Sequence, residues 1–187
     1  MDNRLVIGLA GMPGAGKSVI VKFAREIGYR VHVMGDVVRE EAKKHGLEAN
    51  PENLGKIMLE LREKEGPAVI SKRCIAEIKQ TSYGKVIVDG IRSLDETIEF
   101  RKHFPKFCLV AVHSSPETRF KRVCNRLRSD DSKHREIFNE RDMRELSVGL
   151  SNVIAMAEYM IVNEGRLEIL EVKAGEILRR IEAKWTK

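Results

Sequence analysis

Gly11-Met12-Pro13-Gly14-Ala15-Gly16-Lys17-Ser18 stands between an apolar run, Leu5–Ala10, and an amphipathic stretch, Ser18–Ile27. It matches GxxxxGK[ST] in full, and the order strand, glycine-rich loop, helix is the context that gives this motif meaning. Glycines let the backbone bend until successive N–H groups point inward as an anion nest, and the helix after the loop adds the positive end of its dipole. Lys17 is of the type that reaches β- and γ-phosphates, and the Ser18 hydroxyl is of the type that holds Mg²⁺. Gly11 through Ser18, Met12, Pro13 and Ala15 included, are therefore the expected seat of the polyphosphate of ATP. A phosphate loop implies nucleoside triphosphate binding and leaves the fate of the bound nucleotide open.

Working outward, short apolar runs recur at Tyr29–Met34, Val86–Val88, Cys108–Val112 and Tyr159–Val162. Helical patterns separate them: Asp36–His45, Leu54–Glu65, Pro67–Gln80, Leu94–His103, Pro116–Arg126, Ile137–Met156 and Arg166–Trp185. Continuous apolar strands alternating with helices predict an α/β fold, a five-stranded parallel sheet flanked by helices with right-handed crossovers. Asn50-Pro51 predicts an elbow in a helical insert over about 36–80, and Ser115-Pro116-Glu117 a capped helix start. No linker or repeat divides the chain, so residues 1–187 read as one domain.

The chain has 187 residues, 42% hydrophobic, 33% charged, with a net charge of +6. A length near this lets a core form without disulfide or metal staples. No apolar run approaches the roughly 20 residues of a membrane helix, and no signal-peptide pattern opens the chain, so a cytoplasmic protein is expected. Three cysteines without a CxxC read as reduced thiols, and the five histidines have no metal-ligand spacing. Residues 119–144 hold nine Lys/Arg against five Asp/Glu. That excess is most of the protein's charge and reads as a lid facing polyphosphate. With aromatics at 5%, no stacking platform for nucleic acid is evident, so a nucleic-acid partner is possible but not favoured. Oligomeric state is not legible.

Three further segments stand out: Gly35-Asp36-Val37-Val38-Arg39 at the end of the second strand, Asp89-Gly90-Ile91-Arg92 after the third, and Arg122-Val123-Cys124-Asn125-Arg126-Leu127-Arg128-Ser129-Asp130-Asp131 ahead of the late helices. Over about residues 5–145 the chain thereby resembles the adenylate kinase group of nucleoside monophosphate kinases, with its GD-x-[LV]-R, DG-[FY]-P-R, R-x-x-x-R and R-x-DD motifs. VDGIRS and the RSDD…ERD stretch further resemble a mainly archaeal family of P-loop proteins related to adenylate, cytidylate and dephospho-coenzyme A kinases.

The resemblance implies a P-loop NTPase fold with a helical acceptor-binding insert and a short lid. It implies transfer of the γ-phosphoryl of ATP, with Mg²⁺, to a small phosphorylated acceptor. Arg39 and Arg92 would clamp the acceptor phosphate, with Asp36 beside them. Asp89 would sit near Mg²⁺ with Ser18. Arg122 and Arg126 would border the donor nucleotide, and Arg128 and Arg141 would reach over the transferring group. Asn163 would lie where related kinases touch the donor base. Guanidinium is the right chemistry for these tasks, since its planar fork matches phosphate oxygens. Where the group carries Gln to read the acceptor base, this chain has Glu96. An ionised carboxylate accepts from an exocyclic amine but cannot donate to a ring nitrogen, so AMP or CMP would be preferred. Met34 replaces the usual Thr, and Arg128 and Arg141 lie about two residues further apart than in the group's short lid. Two other readings stand beside a nucleoside monophosphate kinase. One is dephospho-coenzyme A kinase, with Asp36 as base; the other is an RNA-associated ATPase used as an assembly switch.

Overall fold

The computed structural model describes residues 2–125 and 133–185. Its strands are β1 (Leu5–Ala10), β2 (Arg30–Val33), β3 (Lys85–Asp89), β4 (Lys106–His113) and β5 (Tyr159–Val162). All pair in parallel in the order β2-β3-β1-β4-β5. Among the described residues the helices are α1 (Lys17–Glu26), α2 (Met34–Lys44), α3 (Pro51–Glu65), α4 (Val69–Lys79), α5 (Leu94–His103), α6 (Pro116–Asn125), α7 (Arg135–Ser147), α8 (Leu150–Ala155) and α9 (Leu167–Trp185).

Strand alternation explains why both faces are covered. Leu5, Ile7 and Leu9 of β1 join a core with Ile20 and Ala24 of α1 and Leu170, Leu178 and Ile181 of α9. Val6 and Ala10 point the other way, into a core with Met58 of α3, Ile70 and Ile78 of α4, Phe100 of α5 and Val153 of α8. A chain whose central strand is apolar on both faces has no solvated side to offer, so helices must cover each. Burying one such side chain is worth about 1.5–3 kcal/mol, so together these two layers supply the main drive to fold.

The order puts β1 in the centre, with β3 on one side and β4 on the other. The carboxyl ends of β1 and β3 then open side by side, at the crevice where parallel sheets bind ligands. Helices α2, α3 and α4 fill the connection from β2 to β3. Asn50 accepts from the backbone N–H of Asn53 (2.9 Å), with Pro51 at the first helical position, so the expected elbow is a capped helix start.

Two expectations are corrected. Met34 is not the end of a strand: it opens α2 and is fully buried. The pattern over Ile137–Met156 is not one helix but two. Gly149 adopts φ +107° at the N-cap of α8, a left-handed conformation that interrupts the helical path. The apolar period continues across the break because both helices face inward.

Candidate functional site

The loop between β1 and α1 lies at the crevice. Gly16 has φ +108°, and a Cβ there would stand 2.3 Å from Nδ2 of Asn163, so both conformation and space demand glycine. Lys17 Nζ donates to the carbonyls of Gly11 (2.5 Å) and Met12 (3.3 Å), folding its ammonium over the loop. Gly11, Pro13, Gly14, Gly16, Lys17 and Ser18 line one cleft. The side chains of Met12 and Ala15 are instead buried in the two cores, so these residues serve the loop through backbone alone.

Opposite the loop, the same cleft is lined by Arg39, Asp89, Arg92, Arg141 and Glu145, and has an empty volume of about 680 Å³. A second recess opens from it between α2, α3 and α7. It shares Gly35, Arg39, Arg92, Arg141 and Glu145, and adds Val38, Pro51, Leu54, Met58 and Arg144. The glycine-rich loop thus faces an arginine-rich recess with an apolar side. A third recess, on the other flank of the loop, is lined by Ser18, Arg122, Asn163, Gly165, Leu167 and Leu170.

Arg92 Nε donates to Glu145 Oε2 (2.6 Å) and its Nη1 to the carbonyl of Gly90 (3.0 Å). The fork expected to grip a phosphate with two nitrogens therefore has Nη2 left over. Glu145 is held below the usual carboxylate range. Burial pushes it up, but the charges of Arg92, Arg141 and Lys17 outweigh burial. Arg39 lines both recesses and pairs with Asp36 (2.5 Å). Asp36 itself is 60% exposed and lines neither recess.

Asp89 closes β3 at the cleft, and its Oδ1 is buried without a hydrogen-bond partner among the described residues. An orphaned carboxylate oxygen lining the same cleft as the Ser18 hydroxyl is a donor set that suits a hard cation such as Mg²⁺. Among the described residues no cluster of three His, Cys, Asp or Glu could hold a metal ion by itself.

Glu96 is the clearest correction. It is fully buried and far from being a base reader. One oxygen accepts from the backbone N–H groups of Arg92 (2.8 Å) and Ser93 (3.3 Å), closing a capping box with Ser93; the other accepts from Arg62 Nη2 (2.7 Å). It shapes the turn that presents Arg92 and ties α5 to α3.

Arg122 is at the third recess, held by Ser114 Oγ (2.9 Å) and the carbonyl of Asn163 (3.1 Å). Asn163 is buried, and its Nδ2 donates to the carbonyl of Ala15 (2.9 Å), bracing the loop from behind. Arg126 and Arg128 lie outside the described residues.

Arg119 belongs to no motif of the sequence, yet it is bonded to three separate parts of the site. It is almost fully buried and donates to the carbonyls of Ser114 (3.2 Å) and Pro13 (3.2 Å) and to both oxygens of Asp142 (2.8 and 2.6 Å). It joins the phosphate loop, α6 and α7 in one network. Glu164 caps α6 from β5's far end, accepting from Ser115 N–H, Ser115 Oγ (3.1 Å) and Thr118 Oγ1 (2.6 Å).

Residues 10–144 match the family described as AAA domain. A UPF0200 protein of Hyperthermus butylicus is 49% identical over 179 residues, which is 96% of this chain and 96% of that one. Shikimate kinase from Bacteroides thetaiotaomicron shares the fold with a TM-score of 0.61 at 18% identity, over 94% of this chain and 98% of that one. A gluconokinase from Sinorhizobium meliloti 1021 does so with a TM-score of 0.58 at 16% identity, over 98% of each chain. At those identities the two kinases share this chain's P-loop NTPase fold, and the likeness carries no further than fold.

Proposed function

We propose that this chain, which belongs to the UPF0200 family and contains an AAA domain, is an ATP- and Mg²⁺-dependent phosphotransferase acting on a small phosphorylated acceptor. A nucleoside monophosphate is the first candidate. One observation carries the reading: the phosphate loop lines a cleft with Arg39, Arg92 and Arg141, and the same three arginines also line the adjoining recess with an apolar side. A triphosphate on the loop would point its γ-group at Arg92 and Arg141, and an anionic acceptor with a ring-like body would fit between the arginines and Val38, Leu54 and Met58.

The residues divide the work by position. Backbone N–H groups of the loop from Gly14 to Ser18 cradle the β- and γ-phosphates, and Lys17 leaves its carbonyl partners to track the γ-group. Ser18 and Asp89 would hold Mg²⁺, which supplies charge neutralisation between the phosphates. Arg92, Arg39 and Arg144 hold the acceptor's phosphate, and Arg141 faces the gap. Phosphoryl transfer needs positioning and positive charge more than covalent help, and this recess offers both. Arg122 and the Asn163–Gly165 turn border the donor base. The helices over 36–80 are the part that would close and exclude water, which protects ATP from hydrolysis; residues 126–132 of the expected lid over 119–144 lie outside the described residues.

The recess also weighs among the rivals. A hydroxyl acceptor requires a base, and Asp36 faces solvent beside Arg39 and away from the cleft. The test is a panel assay: the chain with MgATP and each ribo- and deoxynucleoside monophosphate, dephospho-coenzyme A, shikimate and gluconate, with products identified by mass. Turnover of a monophosphate, abolished by Lys17→Ala, is the expected result. ATP hydrolysis that no acceptor increases but RNA stimulates would overturn the proposal in favour of a switch.

A further inference from the structure

Two ion pairs, each with one partner buried, moor α7, and they hold opposite ends of the cleft. Asp142 takes both terminal nitrogens of Arg119, whose Nη1 also reaches the Pro13 carbonyl of the phosphate loop. Three residues on, Glu145 takes Nε of Arg92 at the tip of β3. At 100° per residue, Arg141, Asp142, Arg144 and Glu145 fall within about 160° of the helix circumference, so one face of α7 carries two anchors and two cations. The cations line the space between the anchors: Arg141 faces both recesses and Arg144 the acceptor recess. Arg144 is seated closely there, since a Cβ on Gly55 of α3 would come within 2.5 Å of its Nη1.

We propose that Asp142 and Glu145 are positioning residues for phosphoryl transfer: they lock α7 between the phosphate loop and the β3 tip, so that Arg92, Arg141 and Arg144 converge on the acceptor from fixed places. The inference rests on the kinase reading and adds the machinery that sets its geometry. Glu145 binds Arg92 from the side, through Nε, and the Gly90 carbonyl holds Nη1. The nitrogen that remains is thereby aimed, whereas a competitor for the phosphate would occupy the outer fork. Burial pushes the Glu145 carboxyl up, but Arg92, Arg141 and Lys17 more than offset it and favour its charged form. Removing one member of such a desolvated pair leaves the other charge without compensation, so the loss is felt in binding. The moored half of α7 therefore does not swing.

The experiment uses the full chain and two probes. A non-hydrolysable ATP analogue with Mg²⁺ fills the donor side alone. Diadenosine pentaphosphate fills both sides, and in the wild-type protein it should bind far more tightly because its halves are linked. Titration calorimetry with Glu145→Gln should show the pentaphosphate weakened at least tenfold and the ATP analogue within twofold. Asp142→Asn should weaken both probes, because its arginine also holds the loop. Glu145→Asp keeps the charge on a shorter arm and should fall between wild type and Glu145→Gln, which keeps the proposal testable if Gln unfolds the chain. Tighter pentaphosphate binding by Glu145→Gln would mean that Glu145 competes for Arg92, and would overturn the proposal. So would unchanged binding of both probes. With an acceptor that turns over, Glu145→Gln should raise its KM at nearly constant kcat; a collapse of kcat at constant KM would make Glu145 a base instead. If the wild-type protein binds the pentaphosphate no better than the ATP analogue, the kinase reading itself falls and takes this inference with it.

Discussion

Replacing Glu96 with Ala tests the structure at the point where it departs most from the sequence. The carboxylate is fully buried, caps α5, and neutralises Arg62, whose side chain is only 10% exposed. Removing one partner of a buried pair costs about 3–5 kcal/mol, because the other charge remains without compensation. The lost cap alone would cost about 1 kcal/mol, and since one carboxylate serves both tasks the two figures do not add in full. Taking about 3–5 kcal/mol for the whole, a chain of this size should lose roughly 6–20 °C in Tm. Circular dichroism melts at pH 7 read this directly. Combining Glu96→Ala with Arg62→Met should recover part of the loss, because the orphaned charge goes with it. If the acceptor panel identifies a nucleotide, its base preference should be unchanged in Glu96→Gln. A Tm within about 2 °C of wild type, together with altered base preference, would refute the buried-pair account and restore Glu96 to the acceptor site.

Two further outcomes are expected. Glu182 accepts from the Tyr29 hydroxyl (2.7 Å) and Lys85 (2.9 Å), and these bonds outweigh burial and hold its carboxyl below the usual range. A depressed folded value means that its stabilisation is complete above the unfolded value of about 4.3 and fades as pH falls through the folded one. Glu182→Gln should therefore be less stable than wild type at pH 7, and the gap should narrow as pH falls below about 4.3 in urea titrations; a constant gap would refute the assignment. Among the cysteines, burial first and then nearby carboxylates push Cys74 up strongly, and burial and Glu158 push Cys108 up to about 11. Iodoacetamide at pH 8 should modify the half-exposed Cys124 in the native protein and reach the other two only in urea, as peptide mass mapping would report. Native labelling of Cys74 at a matching rate would contradict its burial.

Legibility in the sequence depends on range. The phosphate loop is eight consecutive residues with a fixed backbone demand, so it is legible without partners. The central strands β1, β3 and β4 are legible because burial on both faces makes their interiors uniformly apolar; the edge strands β2 and β5 are shorter and more exposed, and are marked by their place between helical patterns. The break at Gly149 is hidden because apolar spacing persists across it, although a glycine ahead of a polar pair is a visible cue. Glu96 is more instructive. Ser93-Leu94-Asp95-Glu96 is S-x-x-E, a local capping signature in plain view. Resemblance to enzymes with a Gln at that place points to the acceptor, and the local rule wins. Arg119 and Asp142 cannot be paired from sequence at all. They are 23 residues apart, on two helices whose approach is set by the sheet. Arg144 is likewise intelligible only once Gly55, from a different helix, is beside it.

The bond from Asn163 to the carbonyl of Ala15 spans 148 residues of chain. The phosphate loop thus leaves the ribosome well before it can be finished, since its rear brace is made when β5 arrives. Until then β1 also waits for both of its sheet neighbours, because β3 and β4 come 75 residues or more later. A nascent chain carries the motif without the grip. A ligand that needs the finished loop can bind only the completed fold, and by mass action it adds its binding energy to that fold alone. Cellular nucleotide would then act as a folding ligand, rewarding chains that have closed their sheet and leaving truncated ones to the proteases.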